Sequence, residues 1–417
     1  MILGAMRFRI AVPAFAAVIL FFCFCAPLRA QKYTNMAFPR ELEADLSAGT
    51  TAIYMLDFKT AEDHFNRAIE IMPEHPAAYF FLTMLYWYEL AYDTLINRNP
   101  VIEKAIEDQA ELTISVAKKF TKNEDTKTVG NLYWGGALGA KGWFYFSRGQ
   151  WVRSYFSGKK GYVLAKKVIE RDPELYDAYL GVGMYEYYAA TLGPVLRALS
   201  SFFVRGDREK ALKYLHTAEQ KSRYVKLEAA YFLWNAAVEE GWYGEAYDKI
   251  EVLTRTFPKS PLFRWSEIQT LFFQMKWEEV LKKSDEYISY ALAGPQPENF
   301  IHPYSLLLAK VYYHMGAAAF NLKKYELALS CFEKAIACPS DFDGWRIMAY
   351  LRAGELCDIQ GKREKALAYY KAVLKYPKVW NSTKVARDRI NKPFRRDPNP
   401  KNGFIYSPLE LWRQELK

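Results

Sequence analysis

The chain has 417 residues, of which 51% are hydrophobic and 17% aromatic, and 57 Lys/Arg against 47 Asp/Glu give a net charge of +10. That much apolar material supports a large core and excludes a disordered chain. Alternating Val/Ile/Thr runs and hairpin turn dipeptides are scarce, so a β fold is excluded and helix dominates.

Residues 1–30 differ from the rest. Arg7 and Arg9 precede the uncharged run Ile10–Leu28, and Arg29–Ala30 leads into Gln31 and Lys32. This reads as an export signal of bacterial type with cleavage after Ala30, and so as a periplasmic or cell-envelope location. The alternative is an uncleaved membrane anchor, since 19 apolar residues nearly span a bilayer.

From residue 31 to residue 391 small and aromatic residues recur at fixed spacing. Gly49, Phe58, Ala61, Phe65, Ala68 and Pro73 form a first unit, and Tyr79, Leu82 and Tyr86 open the next. Between Pro76 and Ala190 the spacing predicts longer helices. There Leu132–Phe146 carries Gly135, Gly136, Gly139 and Gly142. Each helical glycine costs about 1 kcal/mol relative to alanine, so these four imply a neighbouring helix pressed on the backbone. Gly206, Ala211, Leu215 and Ala218 form a further second helix, echoed by Gly241, Tyr243, Ala246, Ile250 and Pro258, and then by Trp277 and Val280.

The clearest copies come last. Gly316, Tyr325, Ala328, Phe332 and Pro339 are answered 38 residues later by Gly354, Arg363, Ala366, Tyr370 and Pro377. A period of this size signals stacked helix pairs. The pattern resembles the tetratricopeptide repeat (TPR), which places a small residue in its first helix and an aromatic, an alanine, a second aromatic and a closing proline in its second. The resemblance implies an all-α solenoid, a right-handed superhelix of roughly eight antiparallel helix pairs with a long-helix middle section. It also implies a concave face, lined by first helices, that grips a protein or peptide. One subgroup clamps a C-terminal carboxylate with Lys and Asn. Here the inward positions are Lys310, Tyr313, His314, Ala317 and Asn321, then Met348, Leu351, Arg352 and Glu355, which fit a clamp poorly.

Residues 392–417 form a Pro- and Asn-rich basic extension. From Lys375 to Lys417 eleven Lys/Arg face four Asp/Glu, centred on Arg387, Arg389, Lys392, Arg395 and Arg396. This candidate electrostatic tail suits an anionic membrane surface or an acidic partner, or is simply solvated. With an export signal present, nucleic acid is not an expected partner. Leu409, Leu411 and Trp412 are candidates for a cap on the last repeat.

Chemistry is sparse. The histidines His64, His75, His216, His302 and His314 form no i, i+3 or i+4 pair, and no zinc, phosphate-loop, nucleotide or nucleophile motif occurs. Hence no catalytic residue, cofactor or metal is expected. Cys331, Cys338 and Cys357 follow the signal. They read as small buried residues, with a Cys338–Cys357 bridge open. The candidate partner-binding surface is the aromatic middle: Trp143, Tyr145, Arg148, Trp151, Tyr155, Tyr185, Glu186, Tyr187 and Tyr188. Such rings bring large contact area at low entropy cost, though packing between repeats explains them too. Two functions remain. One is a non-catalytic interaction scaffold. The other is a small-ligand binding protein, with a pocket between the long helices around Gly135, Gly139 and the tyrosines.

Overall fold

The computed structural model describes residues 38–93, 100–191, 206–293, 303–338, 343–376 and 381–395. Residues 1–30, read in the sequence as an export signal, Pro339, Pro377, Arg396 and the capping candidates Leu409, Leu411 and Trp412 lie outside them. Among the described residues there are seventeen α-helices and no strand.

The helices run α1 Arg40–Tyr54, α2 Phe58–Ile71, α3 Pro76–Asp93, α4 Pro100–Phe120, α5 Lys127–Ser147, α6 Trp151–Arg171, α7 Ala178–Thr191, α8 Arg208–Lys221 and α9 Lys226–Glu240. They continue as α10 Tyr243–Thr256, α11 Pro261–Phe273, α12 Trp277–Leu292, α13 Leu308–Asn321, α14 Tyr325–Ala337, α15 Asp343–Ile359, α16 Arg363–Val373 and α17 Ser382–Asn391. Each helix packs on the next, and first helices of neighbouring pairs also touch. The result is a stack of eight helix pairs closed by α17. In the middle α4, α5 and α6 have 21 residues each, as the sequence predicts.

One turn builds most of the pairs. A single left-handed residue stands two positions before the second helix: Leu56, Gly149, Gly241, Met275, Lys323 and Gly361. The N–H of the following residue then reaches back five positions, as in Gln150 to Tyr145 O at 2.9 Å and Lys324 to Ala319 O at 2.8 Å. This is the Schellman arrangement, which satisfies the last carbonyls of the first helix and reverses the chain. Next comes the first residue of the second helix: Phe58, Trp151, Tyr243, Trp277, Tyr325 or Arg363.

Inside each pair the small residue lies under the second helix. A Cβ on Gly49 would stand 2.4 Å from Phe65, one on Gly316 2.8 Å from Phe332, and one on Gly354 2.6 Å from Tyr370. All three rings are fully buried. The glycines of α5 serve the same end. A Cβ on Gly135 would meet Gly161 O at 3.1 Å, one on Gly142 the Gly158 nitrogen at 3.0 Å, and one on Gly136 the Phe80 ring at 2.7 Å. Gly139 faces open space, although its nitrogen is the close neighbour of Gly161. The α5 and α6 backbones are therefore in contact. Ser154 and Ser157 seal the crossing by donating to Gly142 O (2.8 Å) and Leu138 O (2.9 Å).

The stack also curls onto itself. The Tyr54 ring lies 5.7 Å from Phe257 and 5.4 Å from Phe263, and Ser260 donates to Tyr54 O at 2.6 Å. Arg223 pairs with Glu43 at 2.6 Å, and Phe38 meets Tyr224 at 5.6 Å. Pair one thus docks on pairs five and six. Consequently α11 is buried at every residue except Arg264, a pattern that belongs to a helix surrounded on all sides.

At the far end α17 covers the last pair. Val385, Ile390 and Phe394 pack on the core, and Arg363 donates to Arg389 O and Ile390 O at 2.9 and 2.6 Å. Cys331, Cys338 and Cys357 are buried free thiols, and burial raises the first two to about 11.

Candidate functional site

The predicted surface residues do not form one patch. Trp143 and Tyr188 come together, with ring centroids 4.4 Å apart. Trp143 also faces Trp87 at 6.5 Å, and Tyr188 faces Phe232 at 5.5 Å. These four rings stand on α3, α5, α7 and α9, the first helices of four consecutive pairs. They form an aromatic ladder along the side that first helices line in such a stack. Trp87, Trp143 and Tyr188 are half-buried, while Phe232 is buried.

The other candidates turn elsewhere. Tyr145 is buried against α4, where its hydroxyl donates to Glu107 at 2.8 Å. Arg148 pairs with Glu103 at 2.9 Å beside it. Tyr185 stacks on Tyr162 at 4.5 Å in the seam between α6 and α7. Glu186 is buried there, accepting from Tyr162 Oη at 2.5 Å and the Asp207 N–H at 3.1 Å. Tyr187 is fully buried, its hydroxyl directed at Glu239, Glu240 and Ala236 O. Buried side chains have no surface to offer, so Tyr145, Glu186 and Tyr187 serve the fold. Trp151 and Tyr155 lie on α6, with Trp151 edge-on to Phe146 at 5.2 Å and still 47% exposed.

The inward positions of pairs seven and eight are buried, apart from the half-buried Asn321. His314 Nδ1 donates to Lys310 O at 2.7 Å, and burial pushes the imidazole down to about 4. Lys310 lies over the Trp265 ring at 4.7 Å and is pushed down to about 8 by burial. Arg352 donates to Glu355 at 2.5 Å, and Glu355 also faces Arg389 at 3.4 Å. These cations are held by the fold, which leaves no carboxylate clamp. Arg389 of the basic tail is likewise tied to Glu355, while Arg387, Lys392 and Arg395 are exposed.

A second polar group went unnoticed in the sequence. Glu228 of α9 is raised to about 7 by burial. Burial and the charge of Glu228 hold the Tyr54 and Tyr88 hydroxyls well above their usual range. Tyr54 Oη and Glu228 Oε2 are buried and face one another, and that contact offsets part of the rise at Glu228. The signal in the sequence was a single acid among apolar residues in Leu227–Ala237. Nothing there linked it to Tyr54.

Two segments, 309–337 and 349–378, match the family model for the tetratricopeptide repeat. Over these two segments the chain carries TPR-type repeats. No curated protein sequence matches it. Among solved structures it is similar to the apo form of the quorum sensor NprR from B. thuringiensis, at 13% identity over 85% of this chain and 83% of that one, with a TM-score of 0.41. A Rap protein complexed with competence and sporulation factor gives 15% identity, 84% and 79% coverage and a TM-score of 0.36. A tetratricopeptide repeat protein from Parabacteroides merdae gives 12%, 79% and 100%, and 0.32.

Proposed function

We propose that this protein is a non-catalytic scaffold of the periplasm or cell envelope that holds a protein or peptide partner against the aromatic ladder Trp87–Trp143–Tyr188. The observation that carries the reading is the ladder itself. Half-buried rings from consecutive first helices form a continuous strip, and each keeps part of its surface open to solvent. Trp and Tyr dominate the energetics of such contacts because they add area with few rotors. The charge pattern of residues 1–32 supports export.

The test is crosslinking in intact cells, with captured proteins identified. In a Trp87→Ala/Trp143→Ala variant capture falls at least about thirtyfold, the loss of about 2 kcal/mol that marks hot-spot rings. The helical CD signal stays at the wild-type level. Capture that persists in a folded variant ends the proposal.

A small ligand is the second reading. At Gly135 its predicted place is filled by the α5–α6 backbone contact, whereas Gly139 faces open space. The observation in its favour lies instead at Glu228 and Tyr54, where a carboxyl and a hydroxyl oxygen are buried together between α1 and α9.

A further inference from the structure

Helix α6 is unlike the other second helices. Of the fourteen exposed large apolar side chains among the described residues, four are on α6: Trp151 (47%), Val152 (70%), Phe156 (66%) and Val163 (42%). The spacing of Val152, Phe156 and Val163 puts them on one stripe of the helix. Its opposite side, with Gly161, Leu164, Ala165 and Val168, is buried. Within the same 21 residues there are six Lys/Arg and one acid, Glu170. Of the cations, Arg153, Lys159, Lys160 and Lys167 are exposed beside the stripe.

We propose that the outward face of α6 docks flat on an anionic lipid bilayer. An interfacial helix has this chemistry: aromatic and aliphatic side chains enter the headgroup–acyl boundary while flanking cations meet lipid phosphates. The helix is about 31 Å long at 1.5 Å per residue, so the whole stripe can lie along the surface. Two features favour lipid over a protein partner. The stripe runs along the side of a second helix opposite its buried face, so that its apolar side chains share one line along a single helix. The cations beside it are mainly lysines, which protein interfaces deplete in favour of arginine. Arg153 already leans on Tyr145 at 4.2 Å and faces Glu107 at 3.5 Å. Lys159 and Lys160 lean on the rings of Tyr155 and Trp134, at 5.4 and 4.9 Å, and can extend toward phosphates from there.

Quenching of tryptophan fluorescence by brominated acyl chains tests this in the full chain. Residues 1–37 contain no tryptophan, so insertion of the N-terminal apolar run is silent by itself. Vesicles of phosphatidylcholine with roughly one-third phosphatidylglycerol quench the wild type, and pure phosphatidylcholine does not. Trp151→Phe removes the quenched component. Lys159→Glu/Lys160→Glu, checked by CD for an intact fold, weakens vesicle-dependent quenching at least about tenfold, and high salt does the same to the wild type. If the double charge reversal unfolds the chain, Lys159→Gln/Lys160→Gln replaces it. Absence of quenching, quenching that survives Trp151→Phe, or equal quenching by neutral vesicles overturns the proposal. So does capture of a protein on this face with no lipid response.

Discussion

Glu228 shows what a single buried carboxyl does to the whole molecule. Its folded value of about 7 lies above the ordinary 4.5 because burial penalises the charged form. A raised carboxyl binds its proton more tightly folded than unfolded, so its contribution to stability falls as pH climbs from 4.5 to 7. Glu228→Gln therefore stabilises the protein by about 3 kcal/mol above pH 7 and by nothing near pH 4. Urea melts of variant and wild type across that range give the difference. The difference is needed because His75 and His314 act in the opposite sense. Burial lowers both to about 4 from 6.5, and stability is lost as pH drops through that window. A sequence lists such residues but not their surroundings: His314 reads as an inward position of the clearest repeat, and the fold buries it fully.

Helix pairs were the most legible level. Gly49, Gly316 and Gly354 each precede their ring by sixteen residues, and each lies under that ring. The spacing is visible in the sequence because close crossing demands a missing Cβ at one position. Gly354→Ala, whose methyl would stand 2.6 Å from Tyr370, costs about 1–3 kcal/mol through overpacking. Gly139→Ala meets no heavy atom within 4 Å and gains about 0.5–1 kcal/mol from helix propensity. Both are interior helix positions, so thermal melts of the two separate packing from propensity. The turns were less legible. Leu56, Met275 and Lys323 adopt the left-handed conformation without being glycine, because packing of the flanking helices outweighs the local steric cost. The candidate surface was half legible. Trp143 and Tyr188 do meet, but Tyr145 and Tyr187 sit one position from a ladder-facing or surface neighbour and point inward. One position is about 100° of helix.

At the scale of the molecule the decisive feature is the docking of pair one on pairs five and six. Tyr54 is the clearest probe, being fully buried and joined to Ser260 across 206 residues of chain. Tyr54→Ala costs about 3–5 kcal/mol, as for other large-to-small core changes. Amide exchange then quickens in α11 together with α1, and far less in α15. Exchange that quickens in α1 alone would mean that the pairs stack without this cross-contact.

The sequence by itself determined the unit, its period and the number of helix pairs, because those follow from contacts between residues a few tens of positions apart, where small residues and rings must recur. Only the tertiary structure decided which faces remain open. The curl sums small rotations from pair to pair, and each depends on side-chain volumes on both sides of a seam. The burial of α11, the pairing of Glu228 with Tyr54, the ladder and the bare stripe of α6 all depend on that sum.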